Sequence, residues 1–243
     1  MLTVERYNLI LKLIEEKQNI KVHDIVEKLK ISEATARRDL NFLEDKGKIK
    51  RIHGGAVLVE TKEEDIGFKK LVFNKEKDII AKKSIKFIHE GDTIFLDAGT
   101  TTFALIKYLK DIPNIKIVTN GYSHINELTA INKEVYLLGG KLKKKTGALV
   151  GFSAMNSLKT YNFDVVFIGA NGVNTEGYST PDEEEVLVKS EAIKRGKQVI
   201  FLCDHTKFKN KSFFNFASLN DGELISDTDL PKEIAKAIDK AKK

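Results

Sequence analysis

The sequence predicts an α/β chain in two parts: a small N-terminal unit of three short helices and a basic hairpin, then a larger unit on a parallel sheet. Three observations lead there. Apolar residues recur at helical spacing in three stretches before residue 45, and a cation-rich strand ending in Gly54-Gly55 follows them. A charged run, Glu60, Lys62, Glu63, Glu64 and Asp65, then interrupts the pattern. Beyond residue 75, helical stretches alternate with short apolar runs, as they do where covering helices pack on parallel strands. With 243 residues, 42% of them apolar, the chain can bury one medium core and a small satellite. The expected boundaries are a first domain over residues 1–57, a linker over 58–74 and a second domain over 75–243.

The first helix, residues 4–17, carries Leu9, Ile10, Leu13 and Ile14, and the second, residues 22–29, carries Val22, Ile25, Val26 and Leu29. Ser32 is a good N-cap for the third helix, where Ala36, Leu40 and Leu43 form the inward stripe. At about 100° per residue, the opposite side carries Ala34, Thr35, Arg38 and Asn41, with Arg37 on its flank. An arginine can fork onto guanine and an asparagine onto adenine, while alanine and threonine methyls touch thymine. Gly47 ends the helix; Lys48, Lys50 and Arg51 then alternate with Ile49 and Ile52, so the strand is expected to carry its cations on one side before the Gly54-Gly55 turn. Two short helices, a tight turn, a third helix and a hairpin describe a winged helix-turn-helix. Taken alone, the same stretch also reads as a solvated amphipathic helix and an ordinary hairpin.

In the second part, helices are expected over residues 75–89, 101–110, 122–131, 152–159 and 182–195, and strands over 93–96, 116–118, 135–138, 165–168 and 199–202. Ligands on such sheets sit in the loops at the carboxyl ends of the strands. Those loops are polar or rich in glycine. Asp97 to Thr102, DAGTTT, opens into a helix, and Gly99 with Thr100, Thr101 and Thr102 outlines a phosphate cradle; an ordinary threonine cap explains the loop equally well by itself. Asn120, Gly139-Gly140, Asn171 and Asp204 with Lys207 follow the other strands. Thr180 and Pro181 suit the N-cap and first position of the helix over 182–195. Lys189 lies beside that helix's buried stripe, where a lysine either snorkels to water or faces a pocket.

The net charge of +6 favours an anionic partner. No run of 18 apolar residues exists, and MLTVERYN lacks a secretory pattern, so a cytoplasmic location without membrane contact is expected. The lone Cys203 excludes an internal disulfide and a cysteine-cluster metal site, and the five histidines show no paired ligand spacing; neither metal nor cofactor is expected.

ISEATARRDL and RIHGGA make residues 6–56 similar to the DNA-binding domain of DeoR-type bacterial transcription regulators, whose pattern is V-S-x-x-T-[IV]-R-R-D-L followed by R-x-H-G-G-A. Ile31 and Ala36 depart from it but stay apolar. The second part resembles the same family, whose effector domain is similar to the ribose-5-phosphate isomerase fold and binds phosphorylated sugars. The resemblance implies DNA contacts at Ser32, Ala34, Thr35, Arg37, Arg38, Asn41, Lys50, Arg51 and His53. It implies effector contacts at Asp97, Gly99, Thr100, Thr101, Thr102, Asn120, Gly139, Gly140, Asn171, Lys189, Asp204 and Lys207. It further implies a repressor on double-stranded operator DNA, controlled by a phosphorylated sugar, with hexose phosphates favoured. A single winged module buries too little DNA, roughly 600–1,000 Å², so a homo-oligomer, dimer or tetramer, is expected.

The competing expectation is a sugar-phosphate isomerase with an appended DNA-binding domain. Isomerisation needs a carboxylate base near the substrate carbon. Isomerases of this fold carry an acid-rich D-G-A-D-E loop where this chain reads GANGV, with Gly169, Asn171 and Gly172 in place of the acids, which argues for binding without turnover. Asp97, Glu183 and Asp204 keep the enzyme open, and a DNA-binding structural protein without a ligand is the third expectation.

Overall fold

The computed structural model describes residues 2–17, 19–52, 54–58, 74–208 and 210–241. The chain divides into two compact units, Met1–Phe73 and Asn74–Lys243. His53 and most of the expected linker lie outside the described residues.

The N-terminal unit runs α1 (Thr3–Lys17), β1 (Asn19–Lys21), α2 (Val22–Leu29), α3 (Glu33–Asp45), β2 (Ile49–Ile52) and β3 (Gly55–Leu58). Its core joins Ile10, Ile14, Ile25, Ala36, Leu40, Leu43 and Ile49. Leu9 departs from the expected stripe: it is exposed and Leu11 is buried in its place, because α1 packs with Tyr7 rather than Leu9 turned inward. Ser32 caps α3, its Oγ accepting the Thr35 amide at 3.2 Å, and Gly47 turns the chain out of it at φ 66°. The sequence showed no sign of β1, whose three residues are too few for periodicity. Pairing with β3 defines it, and the antiparallel order is β1-β3-β2. That approach requires Gly55, where a Cβ would lie 2.1 Å from the Ile20 carbonyl oxygen. The wing does not carry its cations on one side. Lys48 is buried ahead of β2, while Lys50 and Arg51 are neighbours on a strand and point to opposite faces.

The C-terminal unit runs α4 (Asn74–Ser84), β4 (Thr93–Leu96), α5 (Thr100–Leu105), β5 (Lys116–Thr119), α6 (Ile125–Ala130), β6 (Glu134–Leu137), β7 (Lys141–Lys143), β8 (Ala148–Val150) and α7 (Phe152–Leu158). It continues with β9 (Phe163–Gly169), β10 (Gly172–Asn174), β11 (Gly177–Thr180), α8 (Glu183–Arg195), β12 (Gly196–Leu202), β13 (Phe214–Ala217), β14 (Glu223–Ile225) and α9 (Lys232–Ala241). Six strands form one wholly parallel sheet in the order β14-β12-β9-β4-β5-β6. Alternation along the strands feeds two cores, one per face. Phe95, Val118, Val166, Ile168 and Phe201 pack with Leu158 of α7 and Val188 and Ala192 of α8. Ile94, Leu96, Ile117, Phe167 and Ile200 pack with Ile80 of α4, Leu105 of α5 and Leu128 of α6.

Three expected helices are shorter than their patterns, because each has a 3-10 turn at one end: Ile85–Phe87, Ile106–Tyr108 and Tyr122–His124. The N-cap of α8 is Asp182 rather than Thr180, since Thr180 belongs to β11 and Asp182 Oδ1 accepts the Glu185 amide at 3.0 Å. The small antiparallel sheet β10-β11-β13, the hairpin β7-β8, and β14 with α9 add elements that the sequence reading left unassigned.

Candidate functional site

The strand order reverses between β4 and β9: β5 and β6 extend the sheet to one side, β12 and β14 to the other. In open α/β sheets the crevice at such a reversal is where ligands bind. Strand pairing then lays the loops side by side along the carboxyl edge. Leu137 pairs with Thr119, Thr119 with Leu96, Leu96 with Phe167 and Leu202 with Gly169. Gly139-Gly140, Asn120, Asp97, Gly169 to Asn171 and Asp204 therefore follow one another in space, although 107 positions separate the first and last of these in sequence.

Asp97 and Lys189 close the point of reversal. Lys189 Nζ donates to Asp97 Oδ2 at 2.5 Å and to the Gly169 carbonyl at 3.0 Å, and Asp97 Oδ2 also accepts the Gly169 amide at 3.1 Å. The pair joins β4, β9 and α8, and both side chains are buried, at 2% and 4% exposure. Burial pushes the Asp97 carboxyl up against the pull of the Lys189 ammonium. Lys189 does not snorkel; its ammonium also lies 5.5 Å from the centre of the Phe216 ring.

Beside this pair the threonine loop is held from beneath. Thr102 Oγ1 is 2.6 Å from the Asp97 carbonyl and 2.9 Å from the Gly99 carbonyl, so its hydroxyl is engaged inside the loop. Phe103 N donates to Gly99 O at 3.0 Å, which leaves the amides of Thr100, Thr101 and Thr102 ahead of the helical ladder. Asn120 fastens the loop, its Oδ1 accepting the Ala98 amide at 2.7 Å and its Nδ2 donating to Leu149 O at 3.3 Å. The buried His124 ring lies beneath, with Nδ1 2.9 Å from Thr119 Oγ1 and Nε2 3.3 Å from Gly99 O. Gly121 makes room for it, since a Cβ there would lie 2.8 Å from the ring.

The remaining loops are tied in the same way. Gly140, at φ 144°, passes Val150 O so closely that a Cβ would stand 2.7 Å away, whereas a Cβ at Gly139 would meet nothing within 4 Å; both glycines are exposed. Thr180 Oγ1 lies 3.3 Å from Asn171 Oδ1 and 3.1 Å from Glu185 Oε2. Lys143 Nζ reaches Glu185 Oε1 at 3.0 Å and Asp182 Oδ2 at 2.9 Å. Asp204 Oδ1 accepts the Thr206 amide at 3.0 Å, and Lys207 is half-buried at the end of that turn. His205 Nδ1 lies 2.7 Å from Asp227 Oδ2.

On the N-terminal unit, α3 exposes Ala34, Arg37, Arg38 and Asn41 and buries Ala36, Asp39, Leu40 and Leu43. Ser32 Oγ and Thr35 Oγ1 are 2.9 Å apart. Arg37 pairs with Glu33 at 2.6 Å across one exposed turn. Asn41 Oδ1 accepts from Arg51 Nη1, and the Arg51 amide donates to Glu44 Oε1 at 2.7 Å, so the wing is fastened to the exposed helix face. Lys50 stands in solvent.

Residues 6–62 match the DeoR-like helix-turn-helix domain and residues 73–228 the DeoR C terminal sensor domain. The chain belongs to the DeoR family. It is similar over 93% of its length to the uncharacterized HTH-type transcriptional regulator FruR of Bacillus subtilis (strain 168), at 42% identity and 91% coverage of that protein. It is 30% identical to the glycerol-3-phosphate regulon repressor of Escherichia coli (strain K12), over 97% of this chain and 94% of the relative. Among solved structures, ribose 5-phosphate isomerase from Plasmodium falciparum superposes with a TM-score of 0.43 at 12% identity, covering 58% of this chain and 55% of that one. As a DeoR-family protein the chain is a DNA-binding transcriptional regulator and not an enzyme. Among the described residues no helix is long and apolar enough to cross a membrane.

Several residues in this DeoR-family arrangement escaped the sequence reading: Glu185, Lys143, His124, and the pair Arg6 and Asp39. The Glu185-to-Lys189 spacing of four was a usable signal for a shared helix face. Nothing local marked Lys143 or His124, which arrive from other elements.

Proposed function

We propose that the chain represses genes of sugar uptake or catabolism, binding double-stranded operator DNA through α3 and the wing and releasing it in response to a phosphorylated sugar, with hexose phosphates favoured. The domain assignment is 1–57 for DNA, 58–74 as linker and 75–243 for effector sensing and self-association. The carrying observation is the Asp97–Lys189 pair buried at the strand-order reversal beside the threonine loop. A cation, ordered amides and hydroxyls meet there, the chemistry that a sugar phosphate requires. A relative named for the glycerol-3-phosphate regulon supports a phosphorylated metabolite. One winged module covers roughly 600–1,000 Å² of DNA-facing surface, so operator-level affinity calls for a homo-oligomer on repeated half-sites. The protein works in the cytoplasm, where operator and sugar phosphate coexist.

The test is thermal unfolding of the full chain against a panel of sugar phosphates, each beside its free sugar. A ligand at about 100 times its dissociation constant adds roughly 2.7 kcal/mol. A phosphate that raises the melting temperature while its free sugar does not, and that weakens DNA binding, supports the reading. Equal responses to phosphate and free sugar overturn it.

A further inference from the structure

The arginine on α1 that meets the acid of α3 has no role in the reading above. Arg6 Nε donates to Asp39 Oδ2 at 2.7 Å and Arg6 Nη2 to Asp39 Oδ1 at 3.0 Å, a two-pronged contact that uses both carboxylate oxygens. The Asp39 side chain is 2% exposed and that of Arg6 14%. Asp39 is therefore withdrawn from the DNA-facing side, although it directly follows the exposed Arg38.

Helical geometry gives this contact a direction. At about 100° per residue, Asp39 and Phe42 lie on one flank of the inward stripe, and Asn41 and Glu44 toward the other. The first flank is gripped by α1, through Arg6 on Asp39 and through Tyr7 stacked on Phe42 with ring centres 4.5 Å apart. The second is gripped by the wing, through Arg51 on Asn41 and Glu44. A helix held only by its apolar stripe can roll by small angles as its side chains slide. Grips on both flanks oppose such roll, and the arginine fork, being planar and directional, opposes it more firmly than an ammonium would.

We propose that Arg6 and Asp39 are positioning residues for sequence reading: their ion pair sets the roll of α3, and with it the base that Arg38 and Asn41 can reach, although neither touches DNA. Within the reading proposed above, this assigns selectivity to residues behind the helix. Misplacing a base contact costs discrimination, while phosphate contacts, being tolerant in direction, survive.

The experiment takes a duplex that the wild-type full chain selects from a pool with a randomised core, and a random duplex of equal length. Affinity for each is measured for wild type, Arg6→Lys and Asp39→Asn, well below each variant's own melting temperature. Arg6→Lys keeps the charge and loses the fork; Asp39→Asn keeps the shape and loses the charge. The expected result is a ratio of selected to random affinity reduced about tenfold, the size of a single mismatched contact, with random binding nearly unchanged. Wild-type ratios in both variants, with only their melting temperatures lowered, overturn the proposal and leave the pair a stability element. A wild-type chain that selects no duplex fails the DNA reading itself, a separate result.

Discussion

The two units keep their polar residues in opposite conditions. On α3, Ala34, Arg37, Arg38 and Asn41 are exposed, and the apolar stripe behind them does the folding. At the carboxyl edge of the parallel sheet, Asp97, Thr102, Asn120, Lys189 and Asp204 are all buried and bonded to their neighbours. The first arrangement suits a partner that supplies its own regular surface, since a duplex meets a projecting helix with little rearrangement. The second suits a small ligand whose polar groups must replace bonds already made. Under the function proposed above, a ligand there would couple to the packing of β4, β9 and α8, with couplings typically of about 1–3 kcal/mol.

The contrast breaks most visibly at Lys189. Lys189→Met leaves the Asp97 carboxylate buried without its cation, and we expect a loss of about 3–5 kcal/mol from the C-terminal unit in urea unfolding. A loss below about 1 kcal/mol would show that water reaches the pair, and that the two regions differ less than argued. Next comes the exposed face. Arg38→Ala should cost about 1–3 kcal/mol on a selected duplex and little on random DNA, whereas Lys50→Ala should weaken both equally and lower the salt slope by about 1. Equal effects of Arg38→Ala on both duplexes would remove it from base reading.

Smaller still, Ser32→Ala removes the cap of α3 and should lower the stability of the N-terminal unit by about 1 kcal/mol, with the C-terminal transition unmoved in calorimetry. The slightest effect per group belongs to acid. The Lys197 ammonium holds the Asp164 carboxyl below its ordinary value of 3.8. Burial raises Asp182 and Asp227, but Lys143 with the Glu185 amide at the first, and the His205 ring with its amide at the second, together bring both below 3.8. Carboxyls depressed in the folded state contribute stability above their unfolded value and lose it as pH falls through the folded one. The C-terminal unit should thus lose melting temperature beneath about pH 4, by less than these three carboxyls alone would give, because Asp97, raised by burial, shifts stability the opposite way. A decline that begins near neutrality would point to histidine instead.

Much of the N-terminal unit was legible because helix periodicity is a local property. Ser32, Glu33 and the Ala36, Leu40, Leu43 stripe define α3 and hence the face opposite, whatever packs on it. Where the reading slipped, the cause was contact between segments. Lys48 is buried, Arg51 folds back onto Asn41, and β1 exists because β3 pairs with it. At the second site the residue types and the loops were legible, since polar loops after apolar runs mark strand ends. Their connections were not. Thr180 looked like a cap, yet it sits in β11 against Glu185.

The sequence by itself determined five of the six strands of the main sheet and the helices between them, the exposed face of α3 and the set of polar loops, because spacing along one chain segment settles which side is apolar. Only the tertiary structure decided that Asp97 and Lys189, 92 positions apart, share one buried hydrogen bond at the reversal of strand order, and that Arg6 reaches Asp39. The first contact depends on which strands become neighbours and the second on how α1 packs against α3, and both are set by the packing of whole cores rather than by any stretch of residues.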